Sequence, residues 1–414
     1  MVETKKTKIG IACKEDVKHI TQVRDMAKEA MVSGNIDRAD LVFAFCSDKT
    51  NPRQCYNGIR EVAGNSAPII GGSAIGLISN NFLSYDGPSA GVAVIQSDVL
   101  KRRRTVVKNI DKDENDAGKR LAMGIQQKDD DKALLIFYDS VKMAPSSNSP
   151  PIMNSSSYLL EGINGVRTFD IPIIGAGLVG DYAFNPTVQF CGSSVSKQCV
   201  VGVMLSGGIT VHYCITHGCV PIDGIYHTIT KTEGPILYEL DGQPIVRTIN
   251  DMFGSDEWQK EHPVGYLTIG VNYGEKYGKY EEEKYVNRLI TGVTSDKEGV
   301  IMFESDLKNG MQIQFMSRDA EQMVRSAKKN SEALLRSVSN KKKKPVFGLY
   351  IDCAGRAGKY SYSDVEEASE VQKIINRYEV PFIGFYSGVE LAPFQGASKG
   401  LDWTGVLLIL SEDG

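Results

Sequence analysis

Short, continuous apolar runs recur along this chain and give the first indication of its fold. Three of them open similar stretches of sequence: residues 39–45 (ADLVFAF), 133–138 (ALLIFY) and 346–351 (VFGLYI). Apolar runs of this length, without alternation, are typical of strands that are covered on both faces. The chain is therefore expected to contain buried sheets rather than sheets with one solvated face.

Each of these runs is followed by the same series of patterns. Apolar positions at helical spacing come next, then a Pro-apolar-apolar-Gly motif, then a closing apolar run. The motifs begin at Pro68, Pro172 and Pro381, and the closing runs are residues 91–95 (GVAVI), 200–205 (VVGVML) and 405–410 (GVLLIL). Proline is tolerated at the first position of a strand, and a strand–helix–strand crossover is expected to be parallel and right-handed. We predict an α/β (α+β) fold with mixed sheets, built from three copies of a strand-helix-strand-strand unit.

The length of the chain predicts more than one domain. A chain of 414 residues exceeds what a single hydrophobic core usually serves. We place the first two copies in an N-terminal domain (residues 1–235) and the third in a C-terminal domain (residues 236–414). Within the second domain, Asp319 is the expected N-cap of a long helix that carries Met323 and Ala327 at helical spacing.

Charge and composition exclude several classes of protein. The net charge is −4 with acids and bases interspersed, which argues against nucleic-acid binding. Two basic runs, residues 101–104 and 341–344, are predicted to be solvated linkers. No run approaches the roughly 20 apolar residues of a membrane span, and residues 1–8 are charged rather than signal-like, so no membrane insertion is expected. Eight cysteines, mostly inside apolar runs, predict reduced thiols and a cytoplasmic protein.

Specific motifs in both halves resemble one known family. Residues 352–358 (DCAGRAG) are similar to the Cys-x-Gly-Arg signature of the FIST C-terminal domain, and residues 382–393 (FIGFYSGVELAP) resemble its Gly-Phe-[Phe/Tyr] turn with the following Glu-[Ile/Leu]-x-Pro. Residues 402–404 (DWT) stand where that family shows an aromatic-Thr pair. In the N-terminal half, residues 70–73 (IGGS) and 218–222 (GCVPI) fit the FIST N-terminal domain.

The resemblance implies a stand-alone sensory protein for intracellular signal transduction. Family members are associated with small ligands, for which amino acids have been proposed, and some are thought to bind haem and sense nitric oxide. The sequence shows no room for an output module, so signalling is expected to run through a separate partner such as a kinase, a cyclase or a chemoreceptor. No cofactor is predicted beyond the haem that the family makes conceivable, for which His217 or His212 would be the axial ligand.

The candidate ligand pocket is placed at strand ends, where open α/β sheets bind their ligands. Arg356 and Glu390 follow strands of the third copy and suit a zwitterion or small anion, since Arg grips carboxylates and Glu accepts from ammonium groups. An internal ion pair between them is the competing interpretation. The predicted ligand-binding residues are Cys353, Gly355, Arg356, Tyr386, Glu390, Gly71, Ser73, Gly175 and Gly177.

Two sequence features raise chemistries other than ligand sensing, a cysteine nucleophile and a dinucleotide site. Cys353 stands in a glycine-rich turn beside Arg356 and would be a nucleophile if a base such as His212, His217 or His227 reached it. An inert cysteine at the end of a strand is the simpler interpretation. Residues 175–180 match Gly-x-Gly-x-x-Gly, but the following residues are not a helix start, so a dinucleotide site is not favoured.

Overall fold

The described part of the chain forms three six-stranded mixed sheets, one nine-stranded sheet and one two-stranded sheet. The computed structural model describes residues 7–146, 151–168 and 170–413; most of the charged N-terminal stretch considered above, residues 1–6, lies outside them. Among the described residues, no helix has the length and apolar character needed to cross a membrane.

Residues 7–97 form the first unit. Its elements are β1 (Thr7–Glu15), α1 (Ile20–Ser33), β2 (Leu41–Cys46), α2 (Pro52–Ala63), β3 (Ile69–Ser73), β4 (Leu77–Ser79), β5 (Phe82–Ser84) and β6 (Ser89–Ser97).

The second unit, residues 100–207, repeats this order with one small addition, the two-stranded sheet of β9 and β10. Its elements are β7 (Leu100–Lys108), α3 (Glu114–Met123), β8 (Asp131–Asp139), β9 (Val141–Met143), β10 (Ile152–Met153), α4 (Ser156–Val166), β11 (Ile173–Leu178), β12 (Gln189–Gly192), β13 (Val195–Ser196) and β14 (Cys199–Gly207).

The third unit is interrupted after its first strand, β15 (Thr210–Thr216), by an inserted subdomain, residues 219–318. The inserted subdomain contains β16 (Cys219–Pro221), β17 (His227–Glu233), β18 (Ile236–Leu240), β19 (Gln243–Pro244), α5 (Ile245–Phe253), β20 (Leu267–Asn272), β21 (Tyr285–Arg288), β22 (Ile290–Val293), β23 (Val300–Met302) and β24 (Gln312–Arg318). The third unit then resumes with α6 (Ala320–Asn340), β25 (Lys343–Cys353), α7 (Gly358–Ser361), α8 (Glu367–Arg377), β26 (Phe382–Ser387), β27 (Val389–Phe394), β28 (Ala397–Leu401) and β29 (Gly405–Asp413).

The three units pair their strands in the same way. In each, the strand after the Pro motif runs parallel to the first central strand, as β3 does to β2, β11 to β8 and β26 to β25. The closing strand lies antiparallel on the other side of that central strand, and the unit's opening strand pairs with the closing strand. Pro68, Pro172 and Pro381 each stand just before the parallel strand, and their carbonyls accept hydrogen bonds from Val42, Leu134 and Gly348.

The hairpin of each unit pairs with the sheet of another unit. The β4–β5 hairpin of the first unit extends the third sheet through β26, and the β12–β13 hairpin of the second extends the first sheet through β3. The β27–β28 hairpin of the third unit extends the second sheet through β11. Every six-stranded sheet is thus completed by two strands that belong to a different unit.

The inner faces of the three sheets share one core. Phe43 and Phe45 of β2 point into it, with Phe137 of β8 and Phe385 of β26, and the Phe45 and Phe385 rings stack with centroids 3.9 Å apart. The outer faces are covered by the helix pairs α1–α2, α3–α4 and α6–α8. Burial on both faces explains the unbroken apolar runs of the central strands.

Two details of the sequence interpretation are tested by these elements. Asp319 caps α6, because its carboxylate accepts from the Gln322 backbone N–H at 2.8 Å. The linker expected at residues 101–104 is wrong, because they lie in β7. In the second run, Lys341 and Lys342 form an exposed turn after α6, whereas Lys343 and Lys344 begin β25. An edge strand such as β7 tolerates charge because half of its side chains face solvent, and Arg103 also pairs with Asp131 at 2.5 Å.

The domain boundary predicted at 235/236 falls between the paired strands β17 and β18, at the first residue of β18.

Three equivalent glycines allow the parallel strands to approach their neighbours. A Cβ at Gly71, Gly175 or Gly384 would lie 2.0, 1.8 or 2.8 Å from the carbonyl oxygen of Ala44, Ile136 or Tyr350, respectively. No side chain fits there without moving backbone.

We expect Gly175→Ala to destabilise the protein by about 3 kcal/mol or more, because the added methyl group displaces a buried strand. Gly165→Ala is the matched control. Gly165 lies in α4 with no atom within 4 Å of an added Cβ, so alanine should stabilise by up to about 1 kcal/mol. Urea unfolding of the three proteins measures both effects, and equal midpoints for wild type and Gly175→Ala would contradict the strand-approach argument.

Candidate functional site

A cavity of about 400 Å³ lies where the three units meet the inserted subdomain. Ile75 belongs to the first unit, Val179 and Tyr182 to the second, and Cys353 to the third. His262 contributes from the inserted subdomain. Ligand pockets of small molecules occupy roughly 300–1,000 Å³ and favour junctions of this kind.

The strand order explains how these residues converge. Ile75, Val179 and Cys353 lie at or just beyond the carboxyl ends of β3, β11 and β25, and Ser387 ends β26. Parallel strands bring their carboxyl ends to one edge of a sheet, and the shared core brings three such edges together. The expectation of a pocket at strand ends is met at this edge.

Six aromatic residues of the described chain line the cavity: Tyr182, Phe184, Phe303, Tyr360, Tyr362 and Trp403. The Tyr182 and Tyr360 rings lie 4.0 Å apart between centroids, and Phe184 lies 6.4 Å from Phe303. The Tyr182 hydroxyl donates to the Ala354 carbonyl at 2.9 Å and so fixes the second unit against the third.

Trp403 forms a buried part of the cavity wall. The guanidinium of Arg318 lies 3.5 Å from the centre of its ring, and an added Cβ at Gly355 would come within 1.9 Å of that ring. The indole N–H is buried and has no hydrogen-bond partner among the described residues. Since buried polar groups are normally paired, this N–H is an unsatisfied donor within the wall.

Cys353 and Gly355, two of the predicted ligand-binding residues, line the cavity, but the Cys353 thiol is not activated. Burial first, and the nearby Glu390 second, raise the thiol pKa well above its ordinary value. A protonated thiol is a poor nucleophile. His212, His217 and His227 do not line the cavity; the histidine that does is His262.

Arg356 does not face the cavity, which corrects the prediction that it recognises a ligand. It is fully buried, and its guanidinium donates to Asp352 at 3.1 Å and Glu367 at 2.5 Å. It also donates to the carbonyls of His217 and Trp403 at 2.8 and 2.9 Å. Internal acids and carbonyls, rather than Glu390 or a ligand, satisfy the charge.

The remaining predicted residues are also interior. The Tyr386 hydroxyl donates to Glu366 at 2.8 Å, and Glu390 accepts from Ser387 at 2.7 Å, with its pKa raised by burial. The Ser73 hydroxyl accepts from the Val188 N–H. The other three are strand glycines packed against neighbouring atoms: Gly71, Gly175 and Gly177. The glycine motif at 175–180 runs through β11 into a turn, and no helix begins there.

The two histidines named as possible haem ligands, His217 and His212, already have hydrogen-bond partners. His217 Nδ1 accepts from the Cys219 N–H at 2.9 Å, and Nε2 contacts the Glu282 carbonyl at 2.9 Å. Both ring nitrogens of His217 are therefore occupied, and burial lowers its pKa. Nε2 of His212 is hydrogen-bonded to the Ser411 hydroxyl at 2.8 Å.

A cleft of about 250 Å³ adjoins the cavity, sharing Asp181 and Tyr182 as wall residues. Asp48 lines this cleft, and its backbone N–H donates to Gly180 O at 3.4 Å. The carboxyl groups of Asp48 and Asp181 are neighbours. Partial burial, together with Asp181, raises the pKa of Asp48 to about 6.

The sequence interpretation missed the residues that follow the predicted motifs. Tyr182 and Phe184 come directly after the 175–180 glycines, and Tyr360 and Tyr362 come shortly after Arg356. A search of the first few residues beyond each predicted strand end would have found these rings.

Arg356→Ala should destabilise the unliganded protein by about 3–5 kcal/mol, because it leaves Asp352 and Glu367 buried without their cation. Arg325→Ala removes an exposed pair with Glu321, whose charged atoms are 3.9 Å apart, and should cost no more than about 1 kcal/mol. Chemical unfolding without added ligand gives both values. An unchanged unfolding midpoint for Arg356→Ala would restore the recognition role.

Asp48→Asn should raise the melting temperature by about 1–3 °C above pH 6. Because the pKa of Asp48 is higher in the folded protein than its ordinary value, ionisation of Asp48 destabilises the folded state. This penalty is complete above pH 6 and disappears as the pH falls toward the ordinary value of 3.8, so the gain should vanish near pH 4. Asp86→Asn, in the same cleft but 3.6 Å from Lys359, is the control and should not stabilise. A gain independent of pH would contradict the carboxyl-pair interpretation.

Comparison with known proteins places this chain in a family. Residues 40–243 match the family model of the FIST N domain and residues 245–393 that of the FIST C domain. An uncharacterized protein of Methanocaldococcus jannaschii, MJ1623, is 23% identical over 330 residues, covering 71% of this chain; the match spans little more than half, 57%, of that relative.

Two solved structures show only distant likeness. A cyanuric acid hydrolase from A. caulinodans has a TM-score of 0.34 at 8% identity, with 99% of this chain and 100% of that chain covered. The PurLQS complex from Thermotoga maritima has a TM-score of 0.24 at 10% identity, with 98% and 72% covered. The two domain matches together span most of the sequence, and the chain belongs to the FIST family.

Proposed function

We propose that this protein senses a small molecule, which it binds in the cavity between the three units and the inserted subdomain. FIST domains are associated with small-ligand sensing in signal transduction. The observation that carries the proposal is the position of the cavity: its walls come from every unit, so a bound molecule touches all of them.

Binding, rather than turnover, is the function that the side chains favour. Burial raises the pKa of the Cys353 thiol well above its ordinary value, and the Arg356 guanidinium is bound by internal partners. The cavity therefore offers aromatic surface and a few polar groups, which suit recognition.

The signal would pass to a separate output protein, such as a kinase, a cyclase or a chemoreceptor, inside the cell. A ligand that contacts all three units and the inserted subdomain stabilises their relative arrangement in proportion to its affinity, by about 2.7 kcal/mol at a hundredfold excess over Kd. An output partner that binds the same arrangement would respond to the ligand.

Native mass spectrometry of the purified protein should show a retained small molecule or, after incubation with cell extract, an acquired one. Ala354→Trp, which places a large ring inside the cavity, should abolish this mass shift, since Ala354 is a buried wall residue. Ala397→Trp, at an exposed position of β28, should retain it. Thermal melts establish that both variants are folded. A folded Ala354→Trp protein that still carries the molecule would place the binding site elsewhere.

A further inference from the structure

Three aromatic residues of the cavity wall share an unusual backbone conformation. Phe184, Tyr362 and Trp403 have φ angles of 55°, 57° and 56°. A left-handed conformation is uncommon for any residue except glycine and is costly for bulky side chains. Such residues cluster at sites where function fixes the side chain.

Packing alone does not explain the choice of side chain at Tyr362. The residue is 70% exposed, and its ring lies beside Gly265, another wall residue of the cavity. Glycine at position 362 would remove the backbone strain and lose little buried surface. The ring therefore contributes little to the stability of the fold.

The acidic residues Asp48 and Asp181, of which Asp181 lines both the cavity and the adjoining cleft, are not neutralised by ion pairs among the described residues. No ion pair joins Asp48 or Asp181 to a basic side chain in the described part of the chain. The backbone N–H and the charged side chain of Lys49 do lie near Asp48. The basic groups nearby have other partners. The Lys359 ammonium group lies 3.6 Å from the Asp86 carboxylate, and Arg318 donates to the backbone carbonyls of Gly265 and Gly355.

The cavity wall also carries aromatic rings, among them Tyr182, Phe184 and Tyr362. Aromatic faces attract cations, and ring-lined sites are the usual means of binding ammonium groups. Carboxylates at the edge of such a site add direct attraction for the same charge.

We propose that the cavity binds a small organic cation, an amine or quaternary ammonium group on an apolar body, with the body among the rings and the charge toward Asp48 and Asp181. The inference rests on the proposed sensing function and specifies its ligand class. A free amino acid fits less well, because the guanidinium that would hold its carboxylate, that of Arg356, is internal.

Three probes with one phenyl ring and different charges test the class: phenethylamine, 3-phenylpropionate and phenylalanine. Thermal shift and calorimetry on the wild-type protein at pH 7.5 should show binding of phenethylamine, weaker binding of phenylalanine and none of 3-phenylpropionate. Tighter binding of either carboxylate probe than of the amine would overturn the cation assignment while leaving the sensing function intact. If no probe binds and native mass spectrometry finds no associated molecule, both proposals fail.

Tyr362→Gly separates the function of the ring from its structural cost. The variant should melt at a higher temperature than wild type, since a left-handed position is relieved, yet bind phenethylamine about tenfold more weakly. Tyr277→Gly is the matched control, since Tyr277 also has a positive φ, of 62°, and is 75% exposed but lies outside the cavity.

The control variant should gain stability with unchanged phenethylamine affinity. Asp48→Asn should weaken phenethylamine while leaving any binding of 3-phenylpropionate unchanged or stronger. Full phenethylamine affinity in both Tyr362→Gly and Asp48→Asn would overturn the proposed site.

Discussion

The exchange of hairpins between units is the constraint on which the rest of the structure depends. Without it, β3, β11 and β26 would each be an unpaired edge beside a hydrophobic core, the arrangement that promotes aggregation. The second unit covers the first, the third covers the second, and the first covers the third. No unit completes its sheet alone, so the three must fold as one body around the shared core.

That closed arrangement also fixes the site. The equivalent glycines Gly71, Gly175 and Gly384 bring each parallel strand against its neighbour, and the strand ends then meet at one edge. The inserted subdomain enters after β15 and closes this edge from outside. Arg356 secures the join, because it holds Asp352 and Glu367 of the third unit and the carbonyl of His217, which leads into the inserted subdomain.

The sequence predicted those parts of the fold that local constraints determine. Continuous apolar runs identified the buried strands, and the proline motifs located the parallel strands, because both reflect the environment of a single strand. The hairpin exchange was not predictable, since nothing in residues 77–84 or 389–401 specifies which sheet they join. The same limit applied to Arg356: a glycine-rich turn indicates close backbone approach, but it does not show that Glu367, eleven residues later, returns to meet the guanidinium.

The Cys-x-Gly-Arg motif therefore supports the cavity wall, and its charged residue does not line the cavity. Cys353 and Gly355 contribute surface, and the arginine holds the turn in place. A side chain at Gly355 would clash with the Trp403 ring. Trp403 itself has a left-handed backbone conformation and an indole N–H without a hydrogen-bond partner among the described residues. Strain of this kind persists only where surrounding structure enforces it. The buried arginine network supplies that enforcement directly, since Arg356 donates to the carbonyl of Trp403 itself.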